Sequence, residues 1–313
     1  MKTAKSAFVL MGLALVLSAC SFFEKRNETV AKPEVRDVPF ESRDEGGVRH
    51  RILVLPFLDE KTNRPMRVGE EARRGVIREL ARTGQFVLVS TEDFPQDPKK
   101  LMTPEGDYDL PEIAKIASGI GVAAVLEGKI LQVKARRLGD QVGLVRQMKA
   151  QVDAEVRLRL YAGKNGREIL NVVRTASVES VSTRVGEKAS SDRYLEDDPD
   201  LVQQAVRKAV AGSVPAVVKA VEKLNWEGRI AMVTGERVFI NAGRLSGLQI
   251  GDILKITDEG DEVFDPETGR FIGKAPGRMK GTVEIISYFG KDGAISVIHS
   301  GSGFKENDRV ELY

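Results

Sequence analysis

The 313-residue chain is expected to fold as an α/β sandwich, a mixed sheet with helices packed on it, followed by a small all-β barrel. Three observations lead there. Between residues 48 and 225, segments with a helical apolar period alternate with short apolar runs of strand length. From Met148 to Leu160 the residues alternate strictly: Met148, Ala150, Val152, Ala154, Val156, Leu158 and Leu160 against Lys149, Gln151, Asp153, Glu155, Arg157 and Arg159. That period of two gives one buried and one solvated face, as in an antiparallel sheet. After Trp226 the helical period disappears, and short strands follow one another between glycine turns.

Residues 1–19 have the pattern of a secretory leader. Lys2 and Lys5 precede the apolar run from Ala7 to Val16, which is short for a bilayer span. Leu17-Ser18-Ala19-Cys20 resembles the bacterial lipobox, a resemblance that implies cleavage before Cys20 and lipid attachment to it. An ordinary signal peptide with an incidental cysteine is the competing reading. Residues 20–47 lack periodic apolar positions, carry Pro33 and Pro39, and end in Asp44-Glu45-Gly46-Gly47, the composition of a flexible tether. Both lysines of the formal +2 excess belong to the leader, so the remainder balances its 46 acidic residues and offers a polyanion such as nucleic acid no net attraction. With Cys20 the only cysteine, no intramolecular disulfide forms.

The α/β part spans 48–225. Ile52 to Phe57 is an apolar run broken by Pro56, a buried strand. A helix over 68–82 places Ala72, Val76, Ile77 and Leu80 on one face, and Gly84 stops it. Phe86 to Val89 is a second strand. A helix over 110–118 has Asp109 to cap it and Pro111 in its first turn. Val122 to Ile130 is the next strand, and the alternating strand then turns at Ala162 to Gly166 and returns over 168–183. Residues 186–198 are polar and loop-like. A long helix starts at Pro199 with Asp198 available as cap, and Pro215 is expected to kink or split it near Ala211-Gly212.

The barrel part spans 226–313. Its strands are expected at 238–240, 253–256, 282–286, 294–298 and 309–312, separated by turns at 241–243, 247–252, 265–269 and 301–303.

Two stretches resemble known families. Ile52 to Phe57, Leu110-Pro111-Glu112-Ile113-Ala114 and Gly121 to Ile130, with its Leu126-Glu127-Gly128, are similar to the α/β module shared by TolB amino-terminal domains and CsgG-type secretion lipoproteins. Gly228-Arg229-Ile230, Val238 to Gly243, Gly247 to Asp252 and Asp265 to Gly269 resemble in order the carboxy-terminal barrel of the flagellar ring protein FlgT. The chain departs from FlgT in having a lipobox and no room for FlgT's additional amino-terminal domain. The resemblance implies an envelope scaffold related to FlgT.

No catalytic constellation appears. His50 and His299 are far apart in sequence and in no metal-ligand spacing. Dinucleotide, Walker A and nucleophile-elbow signatures are absent, and Gly301-Ser302-Gly303 has a turn's context. The acidic residues Asp258, Glu259, Asp261, Glu262 and Asp265 lack the spacing of a calcium loop and suit solvated turns better than a cation site. No cofactor, metal or catalytic residue is assigned.

The expectation is a non-enzymatic lipoprotein, lipid-attached at Cys20 and facing the periplasm, that scaffolds an envelope assembly as part of a ring or other oligomer. Ser21 after Cys20 points to the outer membrane by resemblance to enterobacterial sorting rules. Its partners would be other envelope proteins; flagellar, pilus, secretion and cell-wall machines all fit. The alternative is a CsgG-like outer-membrane channel that inserts the hairpin around Met148 to Leu160. Asp153, Glu155, Arg157 and Arg159 suit a solvated face as well as a pore lumen, and a second hairpin is hard to find.

Overall fold

The central strand β1 (His50–Val54) buries both of its faces, and the sheet grows outward from it. The computed structural model describes residues 47–61, 64, 66–139, 146–184, 199–269 and 271–313, within one compact unit from Asp44 to Tyr313. The leader, Cys20, the tether, the 186–198 segment and the Asp198 cap lie outside the described residues.

Next to β1 on one side is the parallel strand β3 (Phe86–Val89), and on the other the parallel strand β4 (Ala124–Gly139). Beyond β4 the sheet turns antiparallel through β5 (Arg146–Ala162) and β6 (Glu168–Arg184). A two-residue strand β2 (Leu58–Asp59) adds to β4. The order is β3-β1-β4-β5-β6, a mixed sheet as expected.

Helices cover the two faces unequally. On one face lie α1 (Met66–Arg82), α3 (Pro199–Ala211) and α4 (Val214–Val221). Their residues Val76, Leu80, Val206, Val210 and Val217 pack against Ile52, Leu126, Val152, Val156 and Leu158, all essentially inaccessible to water. The even-numbered apolar face of β5 is therefore closed by helices. On the other face α2 (Leu110–Gly119) covers only the parallel side, packing Ile113, Ala114 and Ala117 on Leu53, Leu55 and Val125. Asp109 caps α2 by accepting from the Glu112 N–H, with Pro111 in the first turn. The expected long carboxy-terminal helix is split, as Pro215 requires. Ser213, fully buried, returns its hydroxyl to the Ala209 carbonyl at the break.

Two sequence expectations are corrected. The run Ile52 to Phe57 leaves the ladder after Val54, because Pro56 has no N–H to donate; Phe57 then folds over Gly128. The strand expected at 122–130 continues to Gly139, with Val133 and Ala135 against the core and Gln132, Lys134 and Arg136 exposed.

From Glu227 the chain forms a closed six-stranded antiparallel barrel in the order β12-β13-β8-β7-β14-β9: β7 (Glu227–Thr234), β8 (Arg237–Ile240), β9 (Ile253–Thr257), β12 (Met279–Phe289), β13 (Gly293–Gly301) and β14 (Arg309–Leu312). Trp226, Ile240, Leu254, Ile256, Val283 and Val310 fill its interior. Strand β7 extends beyond the Gly228-Arg229-Ile230 stretch of the sequence resemblance, from Glu227 to Thr234. A separate ribbon, β10 (Glu262–Phe264) and β11 (Phe271–Lys274), lies off the barrel around the expected turn at Asp265. Asp265 holds that turn by accepting from the Glu267 and Thr268 N–H groups at 3.0 and 2.7 Å.

The Leu126-Glu127-Gly128 stretch has a packing reason. A Cβ on Gly128 would stand 2.2 Å from the Phe57 ring, so only hydrogen fits. Gly128→Ala is expected to destabilise the fold by about 1–3 kcal/mol through overpacking, read as a lowered urea midpoint at unchanged slope.

Candidate functional site

The joint between sheet and barrel concentrates the buried polar chemistry. Residues Thr257, Arg309 and Arg229 are in register across β9, β14 and β7 and share the barrel's outer face, since Ile256, Val310 and Gly228 alternate inward. All three are nonetheless buried, with both arginines 2% exposed. The carboxy-terminal end of α2 supplies partners for Arg229.

Arg229 Nε donates to the Ser118 carbonyl and Nη2 to the Ser118 hydroxyl, each at 3.1 Å. Its Nη1 donates to the Asn307 carbonyl, and Glu259 lies 3.4 Å away. A guanidinium at a helix C-terminus meets unpaired carbonyls and the negative end of the macrodipole. Burial pulls its pKa below the ordinary arginine value, opposed chiefly by Glu259. Asn241 completes the bracket. Its Oδ1 accepts from Arg229 N–H at 2.8 Å, its Nδ2 donates to the Ile120 carbonyl at 3.2 Å, and its own carbonyl accepts from Arg51 Nη1 at 2.7 Å. Gly121 makes this approach possible: it has φ +77°, and a Cβ there would stand 2.8 Å from Asn241 Nδ2.

Ion pairs flank the bracket: Lys164 with Glu227 at 3.2 Å, Arg309 with Glu227 at 3.3 Å and Lys115 with Glu262 at 2.9 Å. Beside it an open cleft of about 610 Å³ is bordered by Arg51, Ile120, Asn241, Phe289 and Lys291.

A second polar cluster lies on the open face of the sheet. Glu127, with no exposure, takes Arg159 in a two-point contact at 2.8 and 3.0 Å. Lys129 bridges Glu60 at 2.7 Å and Asp107 at 2.9 Å, and Arg157 lies 3.7 Å from Glu127. The hydrogen bond from Lys129 holds the Asp107 carboxyl below the usual range. Burial, reinforced by Glu127, pushes the Tyr108 phenol up to about 12, and its hydroxyl donates to the Pro56 carbonyl. Each carboxylate here faces a cation, so the cluster's chemistry is that of a structural ion-pair network.

The other residues singled out from sequence are scattered. His50 starts β1, and burial lowers its pKa. His299 is on β13, with Nδ1 3.1 Å from the Thr282 hydroxyl. The acidic residues divide their work: Glu259 faces Arg229, Glu262 faces Lys115, and Asp258 accepts from the Arg278 N–H. Among the described residues no group of three or more His, Cys, Asp or Glu is placed to hold a metal ion, and no helix is long and apolar enough to cross a membrane. Sequence reading missed Arg229 and Asn241 as a pair. Their only signal was that each fell within a stretch resembling one barrel.

No protein-family model matches the chain, and no curated protein does. Among solved structures the chain is similar to a hypothetical protein from Chlamydia trachomatis, at 15% identity and a TM-score of 0.37, over 56% of this chain and 98% of that one. It is similar to a Helicobacter pylori homolog of a neuraminyllactose-binding hemagglutinin at 12% identity and TM-score 0.34, over 56% and 94% of the two chains. A Neisseria meningitidis lipoprotein matches at 16% identity and TM-score 0.27, over 55% and 98%. Likeness this partial assigns neither family nor activity.

Removing the Arg229 head leaves the Ser118 and Asn307 carbonyls without their donor. Arg229→Met is expected to cost about 3–5 kcal/mol, the range for breaking a buried ionic contact from one side, measured by denaturant unfolding. Asn241→Ala should cost less, about 1–3 kcal/mol for the groups it leaves unpaired. For His50 the folded pKa is depressed, so the unfolded chain binds the proton more readily. Stability is then complete above the ordinary histidine value and falls as pH drops through about 6.5. His50→Asn should flatten that slope in urea titrations between pH 7.5 and 5.5.

Proposed function

We propose that the chain is a non-enzymatic envelope lipoprotein, attached through Cys20 to the outer membrane and facing the periplasm, that serves as a scaffold in an envelope assembly. The observation that carries this reading is the Arg229–Asn241 bracket, which couples the sheet and the barrel through buried hydrogen bonds. A body braced in this way keeps the sheet and the barrel at a fixed geometry, as a scaffold requires. The Leu17-Ser18-Ala19-Cys20 stretch supports the anchor, and the composition of residues 20–47 supports a tether between anchor and body. Domains spanning 48–225 and 226–313 belong to this reading; Leu224 packs with the sheet and Trp226 inside the barrel. The relation to TolB-like, CsgG-like and FlgT-like proteins belongs to this reading, carried by the sequence stretches quoted for it.

The channel alternative asks the apolar face of β5 to meet lipid. Val152, Ala154, Val156 and Leu158 on that face are already covered by helices, which favours the scaffold.

Cys20→Ala is expected to abolish palmitate incorporation and move the protein from the membrane to the soluble fraction. Full membrane retention of the unlabelled variant would overturn the single-anchor reading. Discrete conductance of the purified lipidated protein in planar bilayers would replace the scaffold with the channel.

A further inference from the structure

The chain enters its folded body against the loop between β8 and β9. A Cβ on Gly247 would stand 2.7 Å from the Gly47 carbonyl oxygen and 3.0 Å from Val48 Cα, so only hydrogen fits there. Arg49 N–H donates to the Ser246 carbonyl at 2.9 Å, and Val48 packs on the barrel core. The loop itself is fastened. Asp292 accepts from the Gly243 and Ser246 N–H groups and from the Ser246 hydroxyl, and the Tyr288 hydroxyl donates to the Leu248 carbonyl.

From this loop Leu248 turns into the barrel, whereas Ile250 turns out. Gly251 N–H donates to the Ile285 carbonyl at 2.8 Å, which brings Ile250 beside Ile286. Ile253 stands opposite Glu284 of β12, with Ile286 diagonal to it on the same outer face. Leu312 pairs with Leu254, which sets Tyr313 alongside Ile253. Ile250, Ile253, Ile286 and Leu312 are each between 39% and 43% exposed, and Tyr313 is 82% exposed. Single exposed apolar residues are ordinary, but a group gathered at one rim of a barrel from three strands and a loop marks an interaction surface.

We propose that this rim docks on the phospholipid surface that holds the lipid of Cys20. The point where the chain joins the body selects the occupant. Residues 20–47 link Cys20 to this loop with a contour of at most about 100 Å, and Ile250 lies within about 11 Å of Gly247 along the backbone. Once the lipid is inserted, the tether keeps the bilayer at a high local concentration, so a patch too small to bind a membrane by itself is held there. The ring of Tyr313, apolar with a polar tip, suits the headgroup level. Bordering charges balance: Lys255 pairs with Glu311 at 2.8 Å, and Arg244 of the loop is matched by Glu284. Docking therefore runs on apolar burial and is indifferent to salt. This inference rests on the anchor of the scaffold reading and gives the anchored body an orientation.

The test uses the full-length chain, acylated at Cys20, in vesicles of phosphatidylethanolamine and phosphatidylglycerol. Ile286→Cys carries an environment-sensitive fluorophore. A doxyl-labelled phospholipid is expected to quench it, and to leave unquenched the same fluorophore at Glu179→Cys, in the half of β6 far from the hairpin turn that contacts Glu227. Quenching should persist at high salt. It should be lost when Ile250→Glu and Ile253→Glu are combined, with the circular dichroism spectrum and flotation with the vesicles unchanged. Quenching at 286 no stronger than at 179, quenching abolished by salt, or quenching that survives both glutamates would each overturn the docking. So would a fluorophore shielded from aqueous iodide yet out of reach of the lipid quencher, which would mean that a second copy covers the rim. Flotation is read separately: an unsubstituted chain that does not float overturns the anchor and the docking together, whereas floating without quenching overturns the docking alone.

Discussion

The burial of Arg229 at the end of α2 is the constraint on which the body of this protein depends. A guanidinium almost without solvent access is tolerable only if its donors are used, and three of them are, on Ser118 and Asn307. One of those partners belongs to the sheet's helix and the other to the barrel's last loop. The charge therefore ties the position of α2 to the closure of β7 against β14. Asn241 extends the constraint to Arg51 on the central strand and to the left-handed turn at Gly121. A buried bracket of this kind adds specificity of docking more than net stability, because desolvation offsets most of its attraction.

The rest of the architecture divides labour around that joint. Apolar residues close the central part of one face of the sheet. On the other face α2 covers the parallel strands, while β4 and β5 carry an ion-pair network of Glu127, Arg159, Lys129 and Asp107. The acidic residues after β9 face Arg229, Lys115 and backbone N–H groups of turns. Charge in these clusters braces the surfaces of the fold against one another.

Much of the fold was legible because its signals are local. Asp109 and Pro111 specify where α2 begins, Pro215 splits the last helix, and the period of two in β5 states which residues face the core. The second half of β4 was not legible: its apolar positions are only Val133 and Ala135, and the residues between them are charged or polar. Strand β7 was hidden for a related reason, since Arg229 has the character of a surface residue until the sheet covers it. The candidate site was accordingly the least readable part. Its members come from 51, 118, 229, 241 and 307, and no local pattern joins them.

The sequence by itself determined the fold class, the order and type of most elements, and the lipobox-like stretch around Cys20, because periodicity, caps and turn residues act over a few neighbours. Only the tertiary structure decided which polar side chains become buried, since burial of Arg229, Arg309 and Glu127 depends on surfaces contributed from distant parts of the chain. It also decided that β6 is, among the described residues, the outer strand, since an edge is a property of the assembled sheet.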